Sequence, residues 1–209
     1  MMKLYEFPPT RSIRVRWTLQ ELGVPFEAVC VNLMAGEHRR PEFLAVNPAG
    51  KVPVLVDGDL VLTESVAIPV YLAEKYPEKG LIPADWSERA QVMRWLFFTT
   101  TELEQPLWRA AKHRIIYPEE KRLPGEVMLA LQDFAAMAEV MEQHMAGREF
   151  VVGSRISVAD FVLAHTLDWA QFVQALNGFP ALQGYVERMY ARPAAPLHIK
   201  DAWAQVRGG

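Results

Sequence analysis

The sequence has a single cysteine, Cys30, so no internal disulfide can form and no CxxC pair is available for a redox motif or a zinc site. No apolar run approaches the roughly 18 residues that a membrane span needs, and the N-terminal segment MMKLYEFPPTRS has no apolar signal-peptide core. Basic side chains are not in excess, because 22 Lys and Arg stand against 25 Asp and Glu. We therefore expect a soluble, cytoplasmic protein with no metal, no membrane and no nucleic acid among its partners.

The character of the chain changes near residue 80. With 209 residues, 51% of them hydrophobic, the chain can bury the core of one large domain or two modest ones. Short β-type segments alternate with helical ones before residue 80, whereas the later part has helical spacing and no convincing strand. We expect an α/β domain over residues 1–78, a linker over 79–87 with Pro and Gly, and an all-helical domain over 88–209.

The first half predicts a βαβ unit followed by a ββα unit. The predicted elements are strand 3–7, helix 12–22, strand 26–33, strand 52–56, strand 60–62 and helix 66–76. Asp57-Gly58-Asp59 between apolar runs indicates a hairpin, and Pro77 ends the last helix. In the second half we expect an N-cap at Ser87 and a bend near Pro106. The predicted helices there are 88–112, 126–145, 158–173 and 180–191, with a less regular tail.

The turn Pro8-Pro9-Thr10-Arg11-Ser12 leads into the first helix. Backbone N–H groups and the helix dipole favour negative charge there, and a thiol at a helix N-terminus loses its proton more readily. Arg14 and Arg16 lie in the first turn of the helix, where an anionic ligand would explain their placement. The alternative is that Ser12 only caps the helix.

The segment Asn47-Pro48-Ala49-Gly50-Lys51-Val52-Pro53-Val54 enters the third strand. Pro53 contributes no N–H to a strand, and a cis Val52–Pro53 bond would expose the backbone N–H and C=O of Val52 to a ligand. Lys51 could then meet a carboxylate. The alternative for Lys51 is a solvated surface lysine.

The segment Thr63-Glu64-Ser65 precedes the helix predicted from residue 66. Ser65 can cap this helix while free N–H groups of the first turn receive a carboxylate, and Glu64 can pair with an ammonium group. The pair suits a zwitterionic amino-acid head group. An ordinary N-cap with an acidic neighbour is the alternative.

A resemblance to a known family is carried by three segments, NPAGKVPVL, LTESVAIPVYL and GSRISVADF. The chain resembles the cytosolic glutathione transferases over essentially its whole length. Within the family, the chain resembles a bacterial, serine, theta or zeta-like type. The resemblance implies an α+β two-domain fold: a thioredoxin-like domain with cis-Pro53, followed by an all-helical domain with a hydrophobic co-substrate pocket. It also implies glutathione as co-substrate, a homodimer and a role in detoxification.

The resemblance also assigns glutathione-binding residues. Val52, with Pro53, would pair with the cysteinyl backbone, and Glu64 and Ser65 would hold the γ-glutamyl end. Lys51, together with His38 or Arg39 of the GEHRRPEF stretch, would lie near the glycyl carboxylate.

The residue that activates the thiol is where this chain departs from the family pattern. Many relatives place Ser, Cys or Thr at the position of Pro9, so the usual hydroxyl is missing. Ser12 is the favoured substitute, ahead of Thr10, and Arg11 is a cation that could hold a thiolate. Tyr5 lies where the tyrosine-using classes carry their phenol, but the PPTRS that follows does not look like those classes.

Two features of the helical half complete the prediction. Ser157 and Asp160 stand as N-cap and N3, a capping-box arrangement whose role is folding. Trp108, His113 and Tyr117, bracketed by Pro106 and Pro118, are candidates for the co-substrate pocket.

The expected reaction is attack of the bound glutathione thiolate on an electrophilic, hydrophobic co-substrate. One alternative is a glutathione-dependent disulfide or peroxide reductase. A second alternative is a non-catalytic interaction module with the same fold.

Overall fold

A computed structural model describes residues 1–208 and divides the chain into two compact units. The first unit is Met1–Ile82 together with the C-terminal segment from Tyr190, and the second is Pro83–Met189. The sequence prediction had placed that C-terminal segment in the helical domain.

The first unit contains a four-stranded mixed sheet. Its elements before the second unit are β1 (Met2–Glu6), α1 (Ser12–Leu22), β2 (Phe26–Cys30), α2 (Pro41–Val46), β3 (Val54–Asp57), β4 (Leu60–Leu62) and α3 (Ala67–Lys75). The strand order is β2-β1-β3-β4, with β1 parallel to β2 and antiparallel to β3, and with β3 antiparallel to β4. The βαβ and ββα units are thereby confirmed, while the short helix α2 was not predicted.

The burial of β1 and of its neighbour β3 shows how the faces of the sheet are covered. Met2, Leu4 and Glu6 alternate with more exposed residues, the period-two pattern of a strand whose one face is covered. On the neighbouring strand, Val54 and Leu55 are both fully buried, as expected where a strand is covered on both faces. Val54 packs in one cluster with Val31 and Phe43, which fixes α2 against the sheet.

The second unit is built from helices. They are α4 (Trp86–Phe98), α5 (Glu104–Ala111), α6 (Pro124–Met145), α7 (Val158–Phe172) and α8, which runs over Pro180–Tyr190 and ends at the first residue of the other unit. A π-helical turn, Thr99–Leu103, joins α4 to α5, whose third residue is Pro106. The extra residue of the π turn accommodates a proline that cannot donate to the preceding turn, so the helix continues past it.

The start of α4 corrects one sequence prediction. The N-cap is Asp85, whose carboxylate accepts the N–H groups of Ser87 and Glu88 at 2.9 Å each, so Ser87 lies inside the helix. An aspartate is as good an N-cap as a serine, and its charge also suits the positive end of the helix dipole.

The predicted capping-box pair at the start of α7 is present. Asp160 accepts the backbone N–H of Ser157 at 2.8 Å and also the Ser157 hydroxyl at 3.0 Å. Its second carboxylate oxygen accepts the Val151 N–H and the Tyr185 hydroxyl, both at 2.9 Å. The buried carboxylate thus joins the loop before α7, the start of α7 and α8.

The C-terminal segment returns to the first unit. It ends in a helix that the sequence prediction had left irregular, α9 (Ile199–Gly208). The ring of Trp203 meets Phe7 edge-on at 6.2 Å, and Tyr190 packs 4.9 Å from Trp17. Among residues 1–208, no helix has both the length and the apolar character that crossing a membrane requires.

Candidate functional site

The turn between β1 and α1 is held by two hydroxyl groups. The Thr10 hydroxyl donates to the carbonyl oxygen of Phe7 at 2.6 Å, and the Thr10 N–H donates to the same carbonyl at 3.1 Å. Thr10 Oγ1 also lies 2.9 Å from Ser12 Oγ. Because the Thr10 proton is already given to Phe7, the Ser12 hydroxyl is the donor in this contact.

Ser12 is the first residue of α1 and does not cap it. The N-cap position belongs to Arg11, and Ser12 Oγ instead accepts the N–H of Phe7 at 3.3 Å. Ser12 is fully buried, whereas Thr10 and Arg11 are partly exposed. Of the three predicted activating residues, Thr10 and Arg11 are therefore the two that a ligand can reach in this conformation.

The two arginines of the first turn have protein partners. The Arg16 guanidinium forms a two-point ion pair with the carboxylate of Glu6, a buried residue of β1. Arg14 Nη1 donates to the hydroxyl oxygen of Ser65 at 3.0 Å. Neither cation needs an external anion to explain its place in the helix, which corrects that part of the sequence interpretation.

The entry to β3 leaves backbone groups unused. The Val52–Pro53 peptide bond is cis, as expected from the family resemblance. The pairing of β1 with β3 begins at Val54 opposite Tyr5, so Val52 lies beyond the ladder. Within residues 1–208, no backbone hydrogen bond uses the N–H or C=O of Val52.

The preceding turn brings Lys51 and His38 into one corner of the unit. Asn47 Oδ1 accepts the Ala49 N–H at 3.1 Å, and Asn47 Nδ2 donates to the Lys51 carbonyl at 2.8 Å. Gly50 has a left-handed φ of 61°, and a Cβ there would lie 2.9 Å from the His38 carbonyl oxygen. In the described residues, His38 Nδ1 is buried and has no hydrogen-bond partner.

Glu64 has an unusual backbone conformation. Its φ is 70°, and Gln174 is the only other non-glycine residue with a positive φ in the described part of the chain. Such a conformation costs about 1–3 kcal/mol for a residue with a Cβ and is concentrated at functional sites. The side chain of Glu64 is exposed.

Ser65 does not cap α3, which corrects the sequence prediction. The N-cap position of α3 is Val66 and has no side-chain hydrogen bond. The Ser65 hydroxyl is occupied by Arg14, and the Glu64 carbonyl accepts the Ile68 N–H at 3.1 Å in the first helical turn. The link between Ser65 and Arg14 was missed in the sequence because 51 residues separate the two.

The candidates for the co-substrate pocket lie in the second unit and form two ring contacts and one hydrogen bond. His113 and Tyr117 meet edge-on at 5.1 Å, and His113 Nδ1 accepts the Leu123 N–H at 3.2 Å. Trp108 packs edge-on against Trp169 at 6.4 Å, and Trp169 was not among the predicted pocket residues. Over residues 1–208, the structure contains no cluster of His, Cys, Asp and Glu that could hold a metal ion.

Comparison with known families gives two matches that cover most of the chain. Residues 1–74 match the model described as "Glutathione S-transferase, N-terminal domain". Residues 105–193 match the model described as "Glutathione S-transferase, C-terminal domain".

Curated relatives agree with these matches. Glutathione S-transferase F10 of Arabidopsis thaliana is 41% identical over 159 residues, which are 74% of this chain and 73% of the relative. A zeta-class glutathione S-transferase of Euphorbia esula is 38% identical over 188 residues, which are 87% of this chain and 82% of the relative.

Solved structures are similar over nearly the whole chain. A glutathione transferase from Methylococcus capsulatus superposes with a TM-score of 0.84 at 32% identity, covering 98% of this chain and all of that one. A family member from Pseudomonas fluorescens, solved with two glutathione molecules bound, has a TM-score of 0.83 at 25% identity and coverages of 96% and 91%.

Proposed function

The chain belongs to the glutathione S-transferase family and is an enzyme of that family, and on this premise we propose that it catalyses attack of the bound glutathione thiolate on an electrophilic, hydrophobic co-substrate. The relatives and the two family models support glutathione transferase activity. The choice of co-substrate class and the roles of individual residues are the proposal. Bacterial origin, cytoplasmic location, detoxification and a homodimer remain predictions.

The observation that carries the proposal is the backbone of Glu64. A positive φ is strained at a residue with a Cβ, and we infer that this conformation directs the exposed Glu64 carboxylate toward the ammonium group of the γ-glutamyl end. Ser65, the next residue, supplies a hydroxyl for the carboxylate of the same end. The two residues together match both charges of an amino-acid head group.

The remaining parts of the peptide have partners in the same unit. The unused N–H and C=O of Val52 suit the cysteinyl backbone, since a peptide placed there would make the hydrogen bonds of an added strand. Lys51 and His38, which the Gly50 turn brings into one corner, suit the glycyl carboxylate.

For thiol activation we propose Thr10 as the direct hydrogen-bond donor to the sulfur. Ser12 donates to Thr10, and Arg11 is the nearby cation. The Phe7 carbonyl also accepts the Thr10 N–H, so the Thr10 hydroxyl can turn to a sulfur without leaving that carbonyl unpaired. Ser12 would continue to donate to Thr10 Oγ1 and would make the Thr10 proton a stronger donor. A donor to the ionised sulfur lowers the thiol pKa.

Thr10 variants test this order of roles. Thr10→Val should raise the pKa of the bound thiol in a pH–rate profile and lower turnover at pH 7 about tenfold, the effect of one hydrogen bond to a charged group. Thr10→Ser keeps the donor and should behave like the parent. Ser12→Ala should give a smaller shift in the same direction. A larger shift for Ser12→Ala than for Thr10→Val would return the direct role to Ser12.

Glu64→Gly tests the glutathione site itself. Glycine adopts a positive φ without strain, so we expect the free energy of unfolding to change by no more than about 1 kcal/mol. Loss of the carboxylate should weaken glutathione binding about tenfold or more in calorimetry. Gln174→Gly is the matched control, because it relieves the same kind of backbone strain and should leave glutathione affinity unchanged. Equal affinities for the parent and Glu64→Gly would remove this residue from the site.

The second unit supplies the candidates for co-substrate contact. Trp108, His113 and Tyr117 combine aromatic surface with a polar nitrogen, as expected of residues that hold an apolar ring. We propose that Trp108→Leu raises the KM of an aryl halide without changing the KM of glutathione. A change confined to glutathione would argue against a co-substrate role.

Disulfide reduction is the alternative reaction. A Pseudomonas fluorescens relative is described with two glutathione molecules bound, and two such molecules could reduce a disulfide without a protein thiol. The side chain of Cys30 is exposed, but partial desolvation and the charges of Glu37 and Glu6 raise the pKa of its thiol, which lowers the thiolate fraction at neutral pH. Turnover of an aryl halide compared with that of a small mixed disulfide separates the two reactions.

A further inference from the structure

Arg14 and Ser65 form a buried link between α1 and the turn before α3. Arg14 is only 1% exposed and Ser65 is 7% exposed, so both polar groups are almost excluded from water. Arg14 Nη1 lies 3.0 Å from Ser65 Oγ. A hydrogen bond to a charged donor in such surroundings is strong and directional.

The chemistry of the two groups fixes which one donates. A guanidinium has five N–H donors and no acceptor, so the Ser65 oxygen must be the acceptor. The Ser65 proton is then directed away from Arg14. In the described residues, the structure shows no protein acceptor for that proton, and Ser65 caps no helix.

We propose that Arg14 is a positioning residue that donates to Ser65, turns the Ser65 proton toward the ligand and so makes this subsite select a carboxylate over an ammonium group. The inference rests on the proposed glutathione site, in which Ser65 faces the γ-glutamyl end. An unconstrained serine could accept from the ligand ammonium as readily as it donates to the ligand carboxylate. Arg14 occupies one of the two lone pairs of Ser65 Oγ, and its positive charge repels an ammonium group from the other, so Glu64 is left as the partner of the ammonium.

The alternative role for Arg14 is purely structural, as a tie between α1 and α3. The two roles differ in how they affect ligands. A structural tie affects every peptide bound at the site, whereas a positioning role affects only ligands that carry the α-carboxylate. A direct contact of Arg14 with that carboxylate would be independent of Ser65, which a double-mutant cycle detects.

Calorimetry with two peptides tests the proposal. One peptide is glutathione, and the other is 4-aminobutanoyl-cysteinylglycine, which lacks only the α-carboxylate of the γ-glutamyl residue. The variants are Arg14→Met, Ser65→Ala and the double variant. We expect each single change to weaken glutathione about tenfold and to leave the affinity of the decarboxylated peptide unchanged. We expect the double variant to bind glutathione no more weakly than Ser65→Ala.

Two further variants serve as controls. Arg16→Met removes a cation from the same helix, and its ion pair is with Glu6, so the preference between the two peptides should persist. Arg14→Lys keeps a positive donor, so it should retain more of the preference for glutathione over the decarboxylated peptide than Arg14→Met does. If Arg14→Met does not fold, Arg14→Lys and Ser65→Ala still decide the matter, since the proposal requires both to reduce the preference for glutathione.

Three results would overturn the inference. Equal weakening of both peptides by Arg14→Met means a structural role, and additive effects in the double variant mean a direct contact. An unchanged preference for glutathione over the decarboxylated peptide in Ser65→Ala means that Ser65 does not bind the α-carboxylate. These results leave the proposed function standing, whereas a parent protein that binds neither peptide overturns both.

Discussion

At the scale of single residues, Asp160 shows how a buried charge can organise a loop. Four donors converge on its carboxylate, two from Ser157 and one each from Val151 and Tyr185. Burial raises the pKa of this carboxyl, and the four hydrogen bonds act in the opposite direction by favouring the ionised form.

Asp160→Ala should therefore be strongly destabilising. It removes a helix cap and leaves buried donors without an acceptor, so we expect a loss of about 2–4 kcal/mol in urea unfolding. Ser157→Ala removes a single side-chain donor and should cost about 1 kcal/mol. The kinetic constants of the folded fraction should stay near those of the parent. Lower turnover at an unchanged melting temperature would contradict a folding role.

His144 predicts a pH dependence of stability. Its ring packs at a tilt against Trp95 with 4.0 Å between the ring centres, and its Nε2 contacts the Val151 carbonyl at 2.8 Å. Burial lowers the pKa of His144 below its ordinary value of 6.5, and the charges of Arg148 and Arg94 lower it further, although the hydrogen bond with Val151 raises it. The unfolded chain then binds the proton more readily than the folded one.

Stability should consequently fall as the pH drops below about 6.5 and continue to fall until the folded histidine is itself protonated. Urea unfolding at pH 7.5 and at pH 5.5 measures this loss. His144→Gln cannot take up the proton and should show a smaller difference between the two pH values. An unchanged difference would mean that other groups dominate the acid sensitivity.

At the scale of elements, the turn before β3 depends on the close approach of two backbone segments. Gly50 and Gly58 share a φ of 61°, but only at Gly50 would a Cβ meet a backbone atom, the His38 carbonyl oxygen at 2.9 Å. At Gly58 nothing lies within 4 Å of that position. Alanine variants at the two glycines thus separate the free-energy cost of the left-handed conformation from the cost of the contact with the His38 carbonyl.

Gly58→Ala should lower the free energy of unfolding by about 1 kcal/mol, because alanine is strained in the left-handed conformation. Gly50→Ala carries the same cost and must also displace the His38 backbone, so we expect about 1–3 kcal/mol more. We also expect weaker glutathione binding only in Gly50→Ala, because the turn carries Lys51 and Val52. Equal unfolding free energies for the two variants would show that the loop relaxes without strain.

Most elements could be predicted because their patterns are local. The βαβ and ββα order followed from alternating apolar runs and from the Asp57-Gly58 turn, and both are present. Helix α2 was missed because six residues are too few to show helical periodicity. Helix α9 was detectable, since Ile199, Ala202 and Val206 follow the spacing of one helical face, but the sequence prediction left this segment as a less regular tail.

The candidate site was predictable only in part. Glu64, Ser65 and Pro53 stand in recognisable local segments, so their positions could be inferred from the sequence. The internal hydrogen bond of Ser12 and the link from Arg14 to Ser65 depend on how side chains turn in the folded unit. Sequence spacing carries no information about such orientations.

At the scale of the whole molecule, the first unit is assembled from both ends of the chain. Besides its aromatic contacts, the C-terminal segment contributes an ion pair between Arg192 and Glu21 of α1. Phe7, which Trp203 covers, is 2% exposed and leads directly into the turn that holds Thr10. The end of the chain therefore supports the start of the candidate site.

Trp203→Ala should weaken the packing of α9 against Phe7. We expect a loss of about 1–3 kcal/mol, below the cost of removing a fully buried tryptophan because Trp203 is only partly buried. Hydrogen exchange should accelerate in β1 and the first turn of α1. Trp86→Ala, which removes a tryptophan that is 80% exposed, is the control and should change neither measurement. Unaltered hydrogen exchange in β1 after Trp203→Ala would show that α9 does not stabilise β1.

The shared make-up of the first unit also has a consequence for biosynthesis. Domains usually fold one after another as the polypeptide leaves the ribosome, beginning with the N-terminal one. Here the first unit lacks its last helix until α9 has been synthesised, whereas the unit encoded between its two parts, Pro83–Met189, has all its residues earlier. The nascent protein would thus complete Pro83–Met189 before the first unit, and the unit that carries the candidate site would be complete only once α9 has been made.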